Sequence, residues 1–310
     1  MEVFVTIIPI FTIIIIGWMM RKRGFITSEF LEPANRLVYY LALPALIFNS
    51  IAKTKFQEQF DGLALGITLF AAATIYLIAY ALARVWKMPP TRIGVFVLSS
   101  GHGNQGYIGL PIALYYLGEP GLAKAGIICG FLMILQNLLS VITLQLHDSS
   151  AGKLPGLKTL FGKLLGNPVI IGAMSGIVVS GFDIPAPKVI LRCFDILGGL
   201  APPTALLLIG ASLSLQLIRT YKHPTLVAVF LKLILLPGIG LALFNVVHLS
   251  ATDYLPAMIL LCSPTATVTY VMAREMHGDA DFTVATISAS TLFSSITFII
   301  WLAFVAGFSK

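Results

Sequence analysis

Charge is what this sequence has least of. Only 11% of its 310 residues are Asp, Glu, Lys or Arg, whereas a soluble domain carries about 25%. A chain of this size with so few charges cannot cover itself for water, which excludes a soluble globular fold. Cysteine is scarce too. Cys129, Cys193 and Cys262 lie in or beside apolar runs without CxxC or metal-ligand spacing. That excludes a disulfide framework and reads as three small buried hydrophobes. No P-loop, HExxH, GxSxG or dinucleotide-binding fingerprint is present, so the chain is not expected to be an enzyme or to draw on ATP. No metal site and no organic cofactor are expected. The first apolar run lacks a basic segment before it and a small-residue cleavage site after it, and reads as a retained helix.

What is present is apolar: 57% of the residues are hydrophobic and the mean hydropathy is +0.93. The apolar residues fall in blocks of roughly 17 to 25, the length that spans a bilayer as helix. Ten spans are predicted, at 4–20, 34–53, 62–84, 93–117, 123–146, 166–182, 189–216, 224–248, 254–276 and 281–308. The expected fold is therefore an all-α integral membrane protein embedded in a lipid bilayer. The longest polar stretch separates two halves, so the domain reading is 1–146, a cytoplasmic linker at 147–165, and 166–310. The net charge of +7 would suggest nucleic acid on a soluble protein. Here it is loop charge that sets orientation, and no nucleic-acid partner is expected. Loops after the odd-numbered spans hold twelve Lys and Arg, including Arg21, Lys22, Arg23, Arg84, Lys87, Arg92, Arg219, Lys222 and Arg274; the opposite side holds six. The odd loops should be cytoplasmic and both termini extracytoplasmic.

The halves look related. Pro9 and Pro168, Gly17 and Gly176, and Pro44 and Pro203 are each separated by 159 residues, and Gly118 and Gly278 by 160. Because five spans is an odd number, the second copy must be inverted, a recurrent plan of secondary transporters.

Spans four and nine break the rules of a membrane helix. Span four carries Gly101-His102-Gly103-Asn104-Gln105-Gly106-Tyr107-Ile108-Gly109-Leu110-Pro111, and span nine carries Ser263-Pro264-Thr265-Ala266-Thr267-Val268-Thr269. Gly and Pro weaken a helix, and Pro removes a backbone donor. The freed groups survive at membrane depth only inside protein or beside a wet cavity. Interrupted helices at matching positions of two repeats point to a transport site. Half-helix N-termini suit an anion. The alternative is a proline kink with small polar residues at tight helix contacts. Other polar groups carry two readings each. Lys232 is either a counter-ion within span eight or a snorkelling interfacial lysine. Asn49, Gln136, Asn137 and Asn245 read as packing hydrogen bonders. Asp195 is either an ion-coupling acid or a partner of Arg192. His102, beside Asn104, is a candidate titrating group.

These residues, taken together, resemble the auxin efflux carrier family, as a bacterial relative of the plant PIN carriers. The resemblance runs over essentially the whole chain and is clearest at Asn35–Leu46, Asn104–Pro111, Leu208–Leu213 and Ser290–Ser294. It implies ten helices in a sodium/proton-antiporter-like or bile-acid-symporter-like elevator fold. Helices one, two, six and seven would form a scaffold, and the others a transport domain whose crossing helices four and nine carry the site. It implies a small organic anion as cargo, such as an indole carboxylate, malate or a related carboxylate. By motif, Asn104 is the expected substrate contact, with Gln105, Gly106, Pro264, Thr265, Thr267 and Leu43 around it. Gly103, Gly109, Pro111 and Thr269 would shape the crossover, and Pro44 and Pro203 the scaffold wall. His102, Asp195 and Lys232 are the candidates for coupling. The plant carriers have a second proline where this chain has Thr269, and their long cytoplasmic loop is here a short linker. A homodimer through the scaffold and a bacterial inner-membrane location are implied by resemblance only.

Two other functions stay open at this point. One is a sodium- or proton-coupled symporter or antiporter of the same fold, with Thr265, Thr267 and Thr269 supplying neutral oxygens. The other is a membrane sensor that transports nothing.

Overall fold

The computed structural model describes residues 2–147 and 166–308, which are helical with no strand among the described residues. All but the first residue of the predicted linker, and with it Lys153, Lys158 and Lys163, lies outside them. In chain order the helices are α1 (Glu2–Lys22), α2 (Ser28–Leu37), α3 (Leu43–Ala52), α4 (Phe56–Gln59), α5 (Gly62–Val85), α6 (Pro90–Gly101), α7 (Leu110–Gln145) and α8 (Pro168–Gly181). They continue with α9 (Lys188–Gly199), α10 (Ala201–Ala211), α11 (Leu215–Thr220), α12 (Lys222–Phe230), α13 (Leu236–Val246), α14 (Ala251–Cys262), α15 (Val268–Glu275) and α16 (Ala280–Phe308). Among the described residues, six helical stretches are long and apolar enough to cross a membrane: Val3–Lys22, Gly62–Val85, Gln105–Gln145, Lys188–Ala211, Lys222–Val246 and Ala280–Ala306. Pro168–Gly181 and Ala251–Cys262 are apolar but shorter. The end of predicted span four and the whole of span five form one helical run, bent at Gly118, where φ is 72°. Only glycine takes that backbone conformation without strain.

Among the described residues, three π-helical turns interrupt the helices, at Val38–Ala42, Gln105–Gly109 and Leu231–Leu235. Each is followed at its second residue by a proline: Pro44, Pro111 and Pro237. A proline inside a helix has no N–H and its ring pushes against the carbonyl four residues back. A wider π turn absorbs that clash. At Pro237 the carbonyl so freed is that of Leu233, and the Trp301 indole N–H donates to it at 2.8 Å.

The chain divides into two compact units, residues 1–62, 105–131 and 162–212 forming one and residues 63–104, 132–161 and 213–310 the other. In the first unit α1 packs along α10 with backbone against backbone. A Cβ at Gly17 would strike the Leu207 carbonyl, and one at Gly210 the Ile14 carbonyl. Likewise, a Cβ on Gly172 of α8 would lie 2.7 Å from the Pro44 carbonyl oxygen of α3. Small residues at such contacts let apolar helices approach closely where no hydrophobic force drives them together. Asn167 starts α8 by accepting from the Val169 and Ile170 amides, the ordinary role of an N-cap side chain. Cys129 and Cys262 are buried, but Cys193 is exposed, contrary to the sequence expectation. It sits on the open face of α9.

In the second unit, Asp279 precedes α16 and gathers its neighbours. Its carboxylate accepts from Arg92 at 3.0 Å, from the Tyr221 hydroxyl at 3.2 Å and from the Phe282 amide at 3.0 Å. It thus caps α16 and ties α6 to the start of α12. Gly101, the last residue of α6, lies flat against the Tyr76 ring of α5, where a Cβ would clash.

Candidate functional site at the helix crossover

Gly101–Asn104 of the first segment singled out in the sequence and Ser263–Thr269 of the second meet within the second unit. Helix α6 stops at Gly101 and α14 stops at Cys262. The chain beyond each is extended, and the two extended pieces pair antiparallel through Gly103 and Thr265. The Asn104 amide donates to the Pro264 carbonyl at 2.6 Å, and the Ala266 amide to the His102 carbonyl at 3.0 Å. Two backbones with no helical partners therefore satisfy each other, as a buried break requires.

Side chains satisfy the rest. Gln136 of α7 donates to the Gly101 carbonyl at 3.0 Å and accepts from the Gly103 amide at 3.3 Å. Thr265 donates from Oγ1 to the Ser99 carbonyl at 2.7 Å, and its amide donates to Ser290 Oγ at 3.1 Å. His102 Nδ1 lies 3.1 Å from Ser140 Oγ, which lies 2.8 Å from the Tyr76 hydroxyl. At the end of α14 the Lys232 ammonium donates to the Leu261 carbonyl at 3.1 Å. Lys232 is fully buried, so the snorkelling reading of the sequence is overturned. The π turn buries Leu231, Lys232 and Leu233 in succession and leaves the ammonium no route to an interface.

Beyond the crossover, Thr267 precedes α15 as its N-cap residue. Thr269 donates from its amide and from Oγ1 to the Ala266 carbonyl, at 3.2 and 2.6 Å. A proline at 269 could not make the first of these bonds. On the other arm Gln105, Gly106 and Gly109 form the π turn that follows Asn104, and Pro111 is the second residue of α7, past the break itself. A Cβ on Gly106 would meet the Leu43 side chain at 3.2 Å, so Leu43 lies directly against this turn. Pro44 opens α3, while Pro203 is exposed in the first turn of α10.

The Asn104 side chain carries a donor without a partner. Asn104 is 5% exposed, and its carboxamide nitrogen is buried without a hydrogen bond. Ser99 Oγ and Thr291 Oγ1, on segments that adjoin Thr265 and Ser290, are also unpartnered. A buried amide donor left open costs about 1–3 kcal/mol, so such a group is expected to have a function or a ligand. No acidic residue occurs in His102–Asn104 or Ser263–Thr267. No group of three metal-ligating side chains occurs among the described residues.

Asp195 belongs to the first unit and takes no part in this network. Its carboxylate accepts from Asn49 Nδ2 at 3.0 Å, from Lys53 at 3.1 Å and from Arg192 at 3.3 Å. It borders a cavity of about 120 Å³ lined by Asn49, Tyr115, Glu119 and Phe194 among others. Sequence reasoning missed the roles of Gln136, Ser99, Ser140 and Tyr76. Only the Gln136-Asn137 pair left a signal, as two amides inside an apolar span.

Comparison with known proteins gives matches over most of the chain. The family described as "Membrane transport protein" matches residues 2–302. An uncharacterized transporter of Methanocaldococcus jannaschii is 24% identical over 300 residues, covering 95% of this chain and 96% of the relative. A Rhizobium meliloti protein named "Putative malonate transporter" is 25% identical over 303 residues, covering 96% and 93%. The mouse "Lysosomal cholesterol signaling protein" is 24% identical over 254 residues, which cover 76% of this chain and 29% of that longer protein.

Proposed function

The chain belongs to the Membrane transport protein family, that of the auxin efflux carriers, and from that premise we propose that it is a secondary carrier of small organic anions with its substrate site at the crossover. The observation that carries the reading is the buried, unpartnered carboxamide nitrogen of Asn104. It is a donor, and a carboxylate oxygen is the acceptor it lacks. The absence of acidic side chains from the two extended segments favours an anion over a cation. The name of the Rhizobium relative makes malonate and similar dicarboxylates the first cargo to try.

The finer reading has ten spans in two inverted repeats, with a scaffold and a mobile unit that moves as an elevator. The recurring offset of 159 residues and the two compact units support it. A bacterial inner-membrane location, with both termini outside and a dimer through the scaffold, belongs to the same reading. Sodium or proton coupling is the second reading, favoured by the hydroxyls of Thr265 and Thr269 next to the break.

The test is uptake of labelled malonate, malate and indole-3-acetate into proteoliposomes, with and without sodium and pH gradients. Saturable exchange of one of these anions is expected. Absence of exchange for the whole panel in folded protein would contradict the reading and favour a membrane sensor that transports nothing; the mouse relative is named a signaling protein.

A further inference from the structure

The two half-helices that end at the crossover are closed in different ways. The end of α6 is closed by neutral donors, Gln136 Nε2 on the Gly101 carbonyl and Thr265 Oγ1 on the Ser99 carbonyl. The end of α14 is closed by a cation, Lys232 Nζ on the Leu261 carbonyl. A helix C-terminus carries partial negative charge and is stabilised by a cation.

One helix end is weak compensation for a fully buried ammonium. No carboxylate pairs with Lys232 among the described residues. The Cys262 thiol and the His102 ring, at the two ends of the same break, lie within electrostatic reach of it. A buried charge without a counter-charge is expensive, and its cost persists in a native protein when function requires it. The amine of Lys232 is thus buried at the end of α14 without a carboxylate partner, and Pro264, three residues on from Leu261, accepts from the Asn104 amide.

We propose that Lys232 is a resident counter-cation. It neutralises the end of α14 and offsets one negative charge of the bound anion, so that no sodium ion has to enter to balance that charge. The inference rests on the anion-carrier reading and deepens it, by assigning the source of charge balance. The lysine is a positioning and charge-balancing residue; the contact with the anion is assigned to Asn104.

The experiment uses the full chain, as wild type, Lys232→Arg and Lys232→Met, with malonate as the probe. It measures malonate exchange in liposomes at equal pH on both sides, in sodium and in choline. It also measures malonate binding by thermal-shift titration, and the melting temperature without substrate. Wild-type exchange should change by less than about twofold when choline replaces sodium, and Lys232→Arg should retain both exchange and binding. Lys232→Met should lose malonate affinity by about tenfold or more, since the positive charge that balances the anion at low dielectric is removed. Its melting temperature without malonate should change little, because relief of the buried charge offsets the loss of the Leu261 carbonyl's partner.

A packing role moves both readouts the same way, so loss of stability together with loss of binding would overturn the proposal. Wild-type exchange that requires sodium would overturn it as well, and so would unaltered malonate binding by Lys232→Met. A wild type that neither binds nor exchanges any anion would instead refute the anion-carrier reading on which the proposal stands.

Discussion

Replacing Gln136 with methionine removes the side chain that closes the α6 side of the crossover while keeping its length and most of its volume. Two backbone groups then lose their partner, the Gly101 carbonyl and the Gly103 amide. Side-chain hydrogen bonds between membrane helices are worth only about 0.6 kcal/mol on average, because released partners find others. That escape is closed here. Gly101 and Gly103 lie at a break with no helical turn to rejoin, and the adjacent His102 carbonyl and Asn104 amide are already committed to the paired strand. Each orphaned group should therefore bear the full desolvation cost of about 1–3 kcal/mol, or about 2–6 kcal/mol for the pair. The assay is unfolding in mixed micelles titrated with denaturing detergent, with Ser295→Ala as control. Ser295 is half-buried and bonds within its own helix, to the Leu292 carbonyl, so its loss should cost no more than about 0.5 kcal/mol. If Gln136→Met were as benign as the control, the backbone at the break would have to be satisfied in some other way, and the argument would be wrong.

Three further changes follow from the packing. Trp301→Phe leaves the Leu233 carbonyl, freed by Pro237, without a donor, and the same titration should give a loss of about 1–3 kcal/mol. Asp279→Ala removes the cap of α16 together with the acceptor of Arg92 and Tyr221. The cap alone is worth about 1 kcal/mol, and Asp279→Asn should recover most of that part when the two are compared by melting. Gly210→Leu drives a side chain into the Ile14 carbonyl of α1; it should abolish folded protein in fluorescence-detected size exclusion, whereas Gly66→Leu, where a Cβ would meet nothing within 4 Å, should not.

Much of this architecture is visible in the residues, for physical reasons that can be named. The breaks in spans four and nine are legible because Gly-His-Gly-Asn-Gln-Gly and Ser-Pro-Thr put helix breakers and polar atoms where lipid tolerates neither. Their position is less legible. Pro111 looks like the cause of the first break, yet the chain leaves the helix at His102, and the proline follows a π turn that absorbs its clash. Pro44 and Pro237 repeat that arrangement, which composition alone cannot reveal because a π turn has the same apolar pattern as an α turn. Lys232 was ambiguous because its stem is long enough to snorkel; only the packed π turn decides its direction. Gln136 looked like ordinary helix packing because its partners are backbone groups 33 and 35 residues away. Spans four and five are joined as one bent run because Gly118 takes a left-handed φ, a choice that a glycine permits but does not announce.

The most direct test of the central claim is malonate exchange by Asn104→Ala and Asn104→Asp in proteoliposomes, with melting temperatures measured alongside. A hydrogen bond to a charged group is worth about 1.5–3 kcal/mol, so Asn104→Ala should slow exchange by about 10- to 150-fold. Because its open donor has no partner in the protein to lose, the substitution should leave the melting temperature unchanged. Asn104→Asp, which sets a like charge before the anion, should abolish exchange. Exchange at the wild-type rate by a well-folded Asn104→Ala would contradict the account and move the substrate away from the crossover.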